Sequence, residues 1–248
     1  MPDAPRMLDL FCCEGGASTG YARAGFRLYG VDKVPQDAYP FPIYIGDAID
    51  ALDRLLAGEA LPFTHPNGDV EWLMLADFAA LGASPPCQAH STITPDKSKH
   101  VDLIPPTRER LHATGKPFIM ENVEGARRTM DNAVKLCGSS FGLRVRRHRY
   151  FETNLDHVWS LPCRHAEQGR PIGVYGDHPQ DDSDYRRPDG TKRGDKAKTI
   201  DEAREVMGMP WATWHGTTQA VPPAYTEFLG HQLIGILKEE PAWSKQNS

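Results

Sequence analysis

The sequence has no apolar run long enough to cross a membrane, because the nearest one, Trp72 to Ala83, is interrupted by Asp77. The amino-terminal residues Met1 to Arg6 contain no apolar core of the kind that a secretory signal needs. The five cysteines are an odd number and two of them are adjacent, so a disulfide framework is not expected. We therefore expect a cytoplasmic protein with no membrane partner.

The chain also lacks a charge excess that would point to a polyanionic partner. It has 28 Lys and Arg against 33 Asp and Glu, with a net charge of −5, so nucleic-acid binding would require a local basic patch. Of the 248 residues, 40% are hydrophobic and 25% are charged, which is typical of a soluble globular chain. That length corresponds to one large domain, or to a large lobe with a small appendage.

The first 152 residues alternate between predicted strands and helices. Helices are expected near Ser18–Ala24 and Ala48–Ala57, and strands at Met7–Phe11, Leu28–Val31, Ile43–Ile45, Ala79–Ala83 and Pro117–Met120. This order predicts an α/β fold with a doubly wound, mostly parallel sheet. Ligands of such sheets bind beyond the carboxyl ends of the strands, which is where the polar motifs of this sequence lie.

The pattern changes after residue 152. Residues 153–198 are polar and lack periodicity, and Arg186 to Lys198 contains six Lys or Arg and two Asp. Helical spacing returns at Ile200–Met207 and at Ala224–Lys238. We expect residues 1–152 and 199–248 to form one domain and residues 153–198 to form a small irregular lobe.

The first three strand ends suggest an adenosine ligand without a diphosphate. The loop Phe11-Cys12-Cys13-Glu14-Gly15-Gly16 is not G-x-G-x-x-G, which argues against a nicotinamide oxidoreductase. Asp32 is placed to accept hydrogen bonds from ribose hydroxyls, and Asp47 from an adenine amino group. An ordinary glycine turn and a helix N-cap at Asp47 explain the same residues about equally well.

Two later strand ends carry reactive groups. The prolines of Ser84-Pro85-Pro86-Cys87 hold a thiol on a rigid loop, although a lone cysteine is more often a small buried residue. Glu121 follows an apolar strand, where burial raises a carboxyl pKa and favours a general acid; a helix-capping acid is the alternative. Cys163 and His165 suggest a metal, but no second pair at ligand spacing accompanies them in the sequence, so none is expected.

The order of these motifs resembles the cytosine carbon-5 DNA methyltransferases, especially the small bacteriophage versions. The blocks that carry the likeness span Leu8 to Leu237. They are Phe11-x-x-x-Gly15-Gly16, Asp32, Gly46-Asp47, Pro86-Cys87-Gln88, Glu121-Asn122-Val123, Arg147-His148-Arg149, Lys198 to Ala203, Met207 to Pro210, and Ala220-Val221-Pro222-Pro223.

The resemblance implies a Rossmann-like S-adenosylmethionine-dependent enzyme acting on double-stranded DNA as a monomer, in the host cytoplasm if phage-encoded. Cys87 would be the nucleophile, Glu121 would hold the amino group and N3 of a flipped cytosine, Arg149 would face its O2, and Arg147 would brace the pocket. Cofactor contacts would come from Phe11, Glu14, Gly15, Gly16, Asp32, Asp47, Ala48, Pro86, Gln219 and Val221. Residues 153–198 would recognise the target, with nucleic-acid contacts from Gln88, Ser91, Arg144, Arg146, Arg186, Arg187, Lys192 and Arg193.

Three positions depart from the family pattern. Cys13 replaces a glycine, Val145 replaces a glutamine, and Thr218-Gln219 replaces Gly-Asn. The alternatives left open are an RNA (transfer RNA) cytosine methyltransferase and a catalytically silent nucleic-acid-binding protein with the same fold.

Overall fold

The computed structural model describes residues 4–91, 96–180 and 195–239. The strands are β1 (Arg6–Leu10), β2 (Arg27–Asp32), β3 (Ile43–Ile45), β4 (Leu61–Thr64), β5 (Val70–Leu73), β6 (Ala80–Ala83), β7 (Phe118–Val123), β8 (Val134–Leu136) and β9 (Arg149–Thr153). The helices are α1 (Gly16–Ala24), α2 (Ala48–Leu56), α3 (Ile104–Ala113), α4 (Ile200–Met207), α5 (Trp214–Gln219) and α6 (Pro223–Glu239).

Within the described residues, nine strands form a single mixed sheet in the order β5-β4-β3-β2-β1-β6-β7-β9-β8. The five central strands, which are β3, β2, β1, β6 and β7, pair in parallel. The remaining pairings, β3–β4, β4–β5, β7–β9 and β9–β8, are antiparallel. The predicted α/β class is confirmed, but the parallel arrangement applies only to the centre of the sheet.

The sheet is covered on both faces, as alternation along β1 requires. Leu8 and Leu10 pack on one side with residues of α2 and α3, whereas Met7 packs on the other with α1 and α6. Helices α1 and α6 approach closely because Gly20 has no side chain: a Cβ there would lie 2.0 Å from Thr226 Oγ1. Among the described residues, no helix has the length and apolarity that crossing a bilayer requires.

A smaller third core joins the segment after β9 to the last part of the chain. Ile172, Val174 and Ala197 pack with α4 and with the residues that follow it, and Val145 is buried in the same cluster. A parallel bridge joins Gly173 to Lys196. Residues on both sides of the expected boundary at 198/199 therefore contribute to this core, and residues 181–194 lie outside the described part.

Candidate active site

The carboxyl ends of β1, β2, β3, β6 and β7 surround one cavity of about 340 Å³. This is the edge of the sheet at which open α/β folds bind their ligands. Nine of the ten predicted cofactor residues line the cavity: Phe11, Glu14, Gly16, Asp32, Asp47, Ala48, Pro86, Gln219 and Val221. Gly15 is the N-cap of α1 and is not part of the lining. A glycine is needed there because its φ is 80° and because a Cβ would lie 2.9 Å from the ring of Tyr39.

The loop after β1 is fastened to the end of β2. The Cys13 amide donates to Asp32 Oδ2 at 2.9 Å, and the Val34 amide donates to Oδ1 at 3.2 Å. Cys13, where the family pattern has glycine, has a φ of 48°. A cysteine therefore occupies the left-handed conformation that a glycine adopts without strain.

Two of the predicted cofactor carboxylates also have structural partners. Asp47 Oδ1 caps α2 by accepting from the amides of Ile49 and Asp50 at 2.8 and 3.2 Å, so the helix-cap interpretation is confirmed for this residue. Glu14 accepts two hydrogen bonds from Thr213, from its amide at 2.7 Å and from its hydroxyl at 2.5 Å. Glu14 therefore fastens the first loop to the start of α5.

The thiol of Cys87 lines the same cavity and is partly buried. Burial is the main reason that its pKa is raised; the charge of Glu121 adds to the increase, whereas Arg149 and Arg147 oppose it. The Cys87 carbonyl accepts from the amides of His90 and Ser91 at 2.9 and 2.8 Å, which forms a tight turn directly after the thiol. These two bonds fix the backbone that carries the thiol.

Glu121 and Arg149 meet in this cavity because β7 and β9 are antiparallel. Arg149 is opposite Val123, two residues from Glu121, so the two side chains share a face of the sheet. Arg149 Nε lies 2.8 Å from Glu121 Oε1. That oxygen is buried. Although Arg149 is close enough for an ion pair, no donor in the described part of the chain has the geometry of a hydrogen bond to it. Burial raises the pKa of Glu121, although Arg149 opposes this.

Arg147, predicted to brace the pocket, is not part of the cavity lining. Its guanidinium donates to the carbonyls of Val174, Thr217 and Ala220, at 2.5 Å for Ala220. Burial, followed by repulsion from Arg149, lowers its pKa to about 9. Arg147 thus connects the strand β9 region to the segment around Val174 and to the end of α5.

The predicted nucleic-acid residues are dispersed. Gln88 is exposed and lines the cavity, while Ser91 does not. Arg144 is paired with Glu202 and Glu205 at 3.5 Å, and Arg146 binds Gln168 at 2.9 Å, both away from the cavity. Arg186, Arg187, Lys192 and Arg193 lie outside the described residues.

Several cavity residues were not predicted from the sequence, and Asp9 is the clearest of them. Asp9 is buried, accepts from the Ser18 hydroxyl, and has a pKa raised by burial to about 7. A charged residue inside the apolar strand Met7 to Leu10 was the available signal. The others, which no motif marks, are Ala17, Lys33, Val34, Gln36, Leu103 and His215.

Comparison with known proteins identifies the fold. Neither protein-family models nor curated sequences give a match. Among solved structures, a protein assigned as a prophage-encoded DNA modification methyltransferase of E. coli superimposes with a TM-score of 0.56 at 15% identity, over 95% of this chain and 100% of that one. S. pombe Dnmt2 methyltransferase gives 0.57 at 13%, over 94% and 99%. The Entamoeba histolytica methyltransferase EhMeth gives 0.55 at 13%, over 96% and 100%. The chain therefore has the fold of these methyltransferases.

Proposed function

We propose that the protein transfers a methyl group from S-adenosylmethionine to carbon 5 of cytosine in DNA, through a transient covalent bond to Cys87. The observation that carries the proposal is that Cys87, the Glu121–Arg149 pair and Asp32 line one cavity. A thiol, a carboxyl of raised pKa and an arginine are the groups that this chemistry needs.

The charges of the cavity support a cationic cofactor. Five carboxyl groups contribute to its lining, against the cations of Lys33 and Arg149. They are Glu14, Asp32 and Asp47, together with Asp9 and Glu121, whose pKa values are raised by burial. Such a surface favours a sulfonium and an ammonium group and disfavours a diphosphate. In this proposal Asp32, at the end of β2, accepts hydrogen bonds from ribose hydroxyls, and Phe11 contributes an apolar surface; both residues line the cavity.

The chain's own residues would activate the cytosine ring. The Cys87 thiolate forms a bond to carbon 6 while protonated Glu121 gives its proton to N3, and the ring electrons then make carbon 5 nucleophilic. Arg149 stabilises the charge at O2. When bound, S-adenosylmethionine supplies the electrophilic methyl group. Loss of the carbon-5 proton to a base, followed by departure of the Cys87 thiolate while Glu121 takes back the N3 proton, restores the ring.

DNA is the proposed substrate because the E. coli prophage protein of the same fold is assigned to DNA modification. The cytosine must leave its stack to reach the cavity, which costs a few kcal/mol. We propose that Gln88 and Ser91, beside Cys87, contact the opened duplex and that Arg144, Arg146 and the basic residues of 186–198 bind phosphates. DNA affinity should then fall with increasing salt.

Trapping on DNA that contains 5-fluorocytosine tests the proposal, since fluorine at carbon 5 cannot leave as a proton does. With S-adenosylmethionine present we expect a covalent complex that maps to the Cys87 peptide and is absent in Cys87→Ser. DNA binding by the wild-type chain without any adduct would contradict the proposal and favour a silent binder.

The same assay on transfer RNA separates the two substrate classes. Equal amounts of 5-fluorocytosine DNA and 5-fluorocytosine RNA are offered in competition. Adduct on DNA supports the proposal, whereas adduct confined to RNA would transfer the same chemistry to the other substrate.

A further inference from the structure

We propose that Cys137, His148, Cys163 and His165 form a structural zinc site, separate from the cavity. The ligand atoms of these four side chains all lie within 4.8 Å of one another. Cys137 follows β8, His148 precedes β9, and Cys163 and His165 belong to the segment after β9. Two thiols and two imidazoles are a ligand set that Zn²⁺ binds tetrahedrally.

Three of the six distances between the ligand atoms are close to the edges of such a tetrahedron. Zinc bonds of about 2.3 Å to sulfur and about 2.0–2.1 Å to nitrogen imply edges of about 3.3 Å between nitrogens and about 3.6 Å between sulfur and nitrogen. The Nε2 atoms of His148 and His165 are 3.3 Å apart. Cys137 Sγ lies 3.3 Å from His165 Nε2, and Cys163 Sγ lies 3.7 Å from His148 Nε2.

The surrounding groups are arranged as they are around bound zinc. While Nε2 of His148 faces the centre of the cluster, its Nδ1 faces Glu124 Oε2 at 3.6 Å. The Ser139 hydroxyl donates to Cys137 Sγ at 3.1 Å and accepts from the Arg164 amide at 3.0 Å. Carboxylates and hydroxyls in these positions orient zinc ligands and strengthen binding.

The position of the cluster indicates what the metal would do. Residues 154–172 contain no helix or strand, so this segment has little regular structure to hold it. Zinc would join it to the turn between β8 and β9. His148 also lies between Arg147 and Arg149, and its carbonyl accepts from Arg149 at 2.9 Å. The metal would therefore fix the backbone that carries both arginines.

Metal analysis of the full-length, reduced protein tests the proposal. We expect about one Zn²⁺ per chain, replaceable by Co²⁺ with the visible and thiolate charge-transfer bands of a tetrahedral S₂N₂ site. Cys163→Ser and His165→Asn should each lower zinc affinity at least tenfold. His157→Asn, an exposed histidine of the same segment, should keep the wild-type stoichiometry.

Two results would overturn the zinc site, and neither depends on the folding of a variant. One is wild-type protein that binds neither Zn²⁺ nor Co²⁺ after reduction. The other is a wild-type chain in which peptide mapping of freshly purified protein finds Cys137 and Cys163 joined by a disulfide. Both measurements are independent of methyl transfer.

Discussion

Glu14 and Thr213, which are 199 residues apart in sequence, are joined by two hydrogen bonds to one carboxylate. Glu14 is buried, and Gly216 packs so closely on it that a Cβ at that glycine would lie 2.0 Å from Glu14 Oε2. The contact thus closes the site by joining the loop after β1 to α5. Hydrogen bonds to a charged acceptor contribute more to stability than neutral ones do. Removing the Glu14 carboxylate would also leave the amide and hydroxyl of Thr213 without this acceptor.

Glu14→Ala should lower the free energy of unfolding by about 3 kcal/mol, measured by urea denaturation. Gly216→Ala should destabilise the protein through the same contact. Glu59→Gln, which removes an exposed ion pair with Arg54, should change the stability by less than about 1 kcal/mol. If Glu14→Ala were no more destabilising than Glu59→Gln, the contact would have no structural role.

The reactivity of the Cys87 thiol should depend on the two charged groups beside it. Because Glu121 raises the pKa of Cys87 and Arg149 lowers it, Glu121→Gln should shift the alkylation profile to lower pH and Arg149→Gln should shift it to higher pH. The measurement is the rate of iodoacetamide labelling of the Cys87 peptide against pH, followed by mass spectrometry.

Glu109→Gln is the control for this measurement, since that exposed carboxylate of α3 is not part of the cavity lining. Its profile should coincide with that of the wild type. If the profiles of Glu121→Gln and Arg149→Gln both coincided with that of the wild type, neither group would act on the thiol.

The strained backbone at Cys13 gives a third prediction. A residue with a side chain costs about 1–2 kcal/mol in the left-handed region, whereas glycine costs about 0.5–1 kcal/mol in lost chain entropy. With a φ of 48°, Cys13→Gly should be neutral or stabilising, and Cys13→Val should destabilise by about 1–2 kcal/mol. Thermal unfolding of both variants checks this; a stabilising valine would contradict the assigned backbone.

The sequence predicted the part of the fold that depends on strong local patterns. Apolar runs that end in Asp32, Gly46-Asp47, Cys87 and Glu121 marked the parallel strands, and parallel strands bring their carboxyl ends to one edge. Strands β4, β5 and β8 were missed because Pro62, Glu71 and Lys135 interrupt apolar runs of only three or four residues, whereas the equally short β3 and β6 contain no proline or charged residue. Helix α3 was missed because Pro105 and Pro106 suggest a loop, although proline is accepted in the first helical turn.

The contacts that the sequence could not predict join distant residues through groups that no motif marks. Arg147 binds backbone carbonyls, which every residue has, so its partners Val174 and Ala220 cannot be inferred from residue type. Cys163 and His165 are close in sequence, but Cys137 and His148 approach them only through the β8–β9 turn. The sequence thus indicated half of the cluster, and no metal was expected because the second pair is not at ligand spacing in the sequence.

The buried carboxyl of Asp9 should make stability depend on pH. Its pKa of about 7 exceeds the ordinary value of 3.8 because burial disfavours the charged form. The folded state therefore binds a proton that the unfolded chain has released between these two values, so stability falls as pH rises through this window. The decrease is on the order of a few kcal/mol and is complete above the folded-state pKa.

Asp9→Asn should remove this dependence while keeping an acceptor for the Ser18 hydroxyl. Between pH 5 and pH 8, about the range in which Asp9 ionises, the free energy of unfolding should fall in the wild type and not, through this residue, in the variant. Chemical denaturation at the two pH values measures the difference, and Asp156→Asn, at an exposed carboxyl, is the control. A wild-type protein that loses no more stability than Asp9→Asn over this range would mean that Asp9 is already ionised at pH 5.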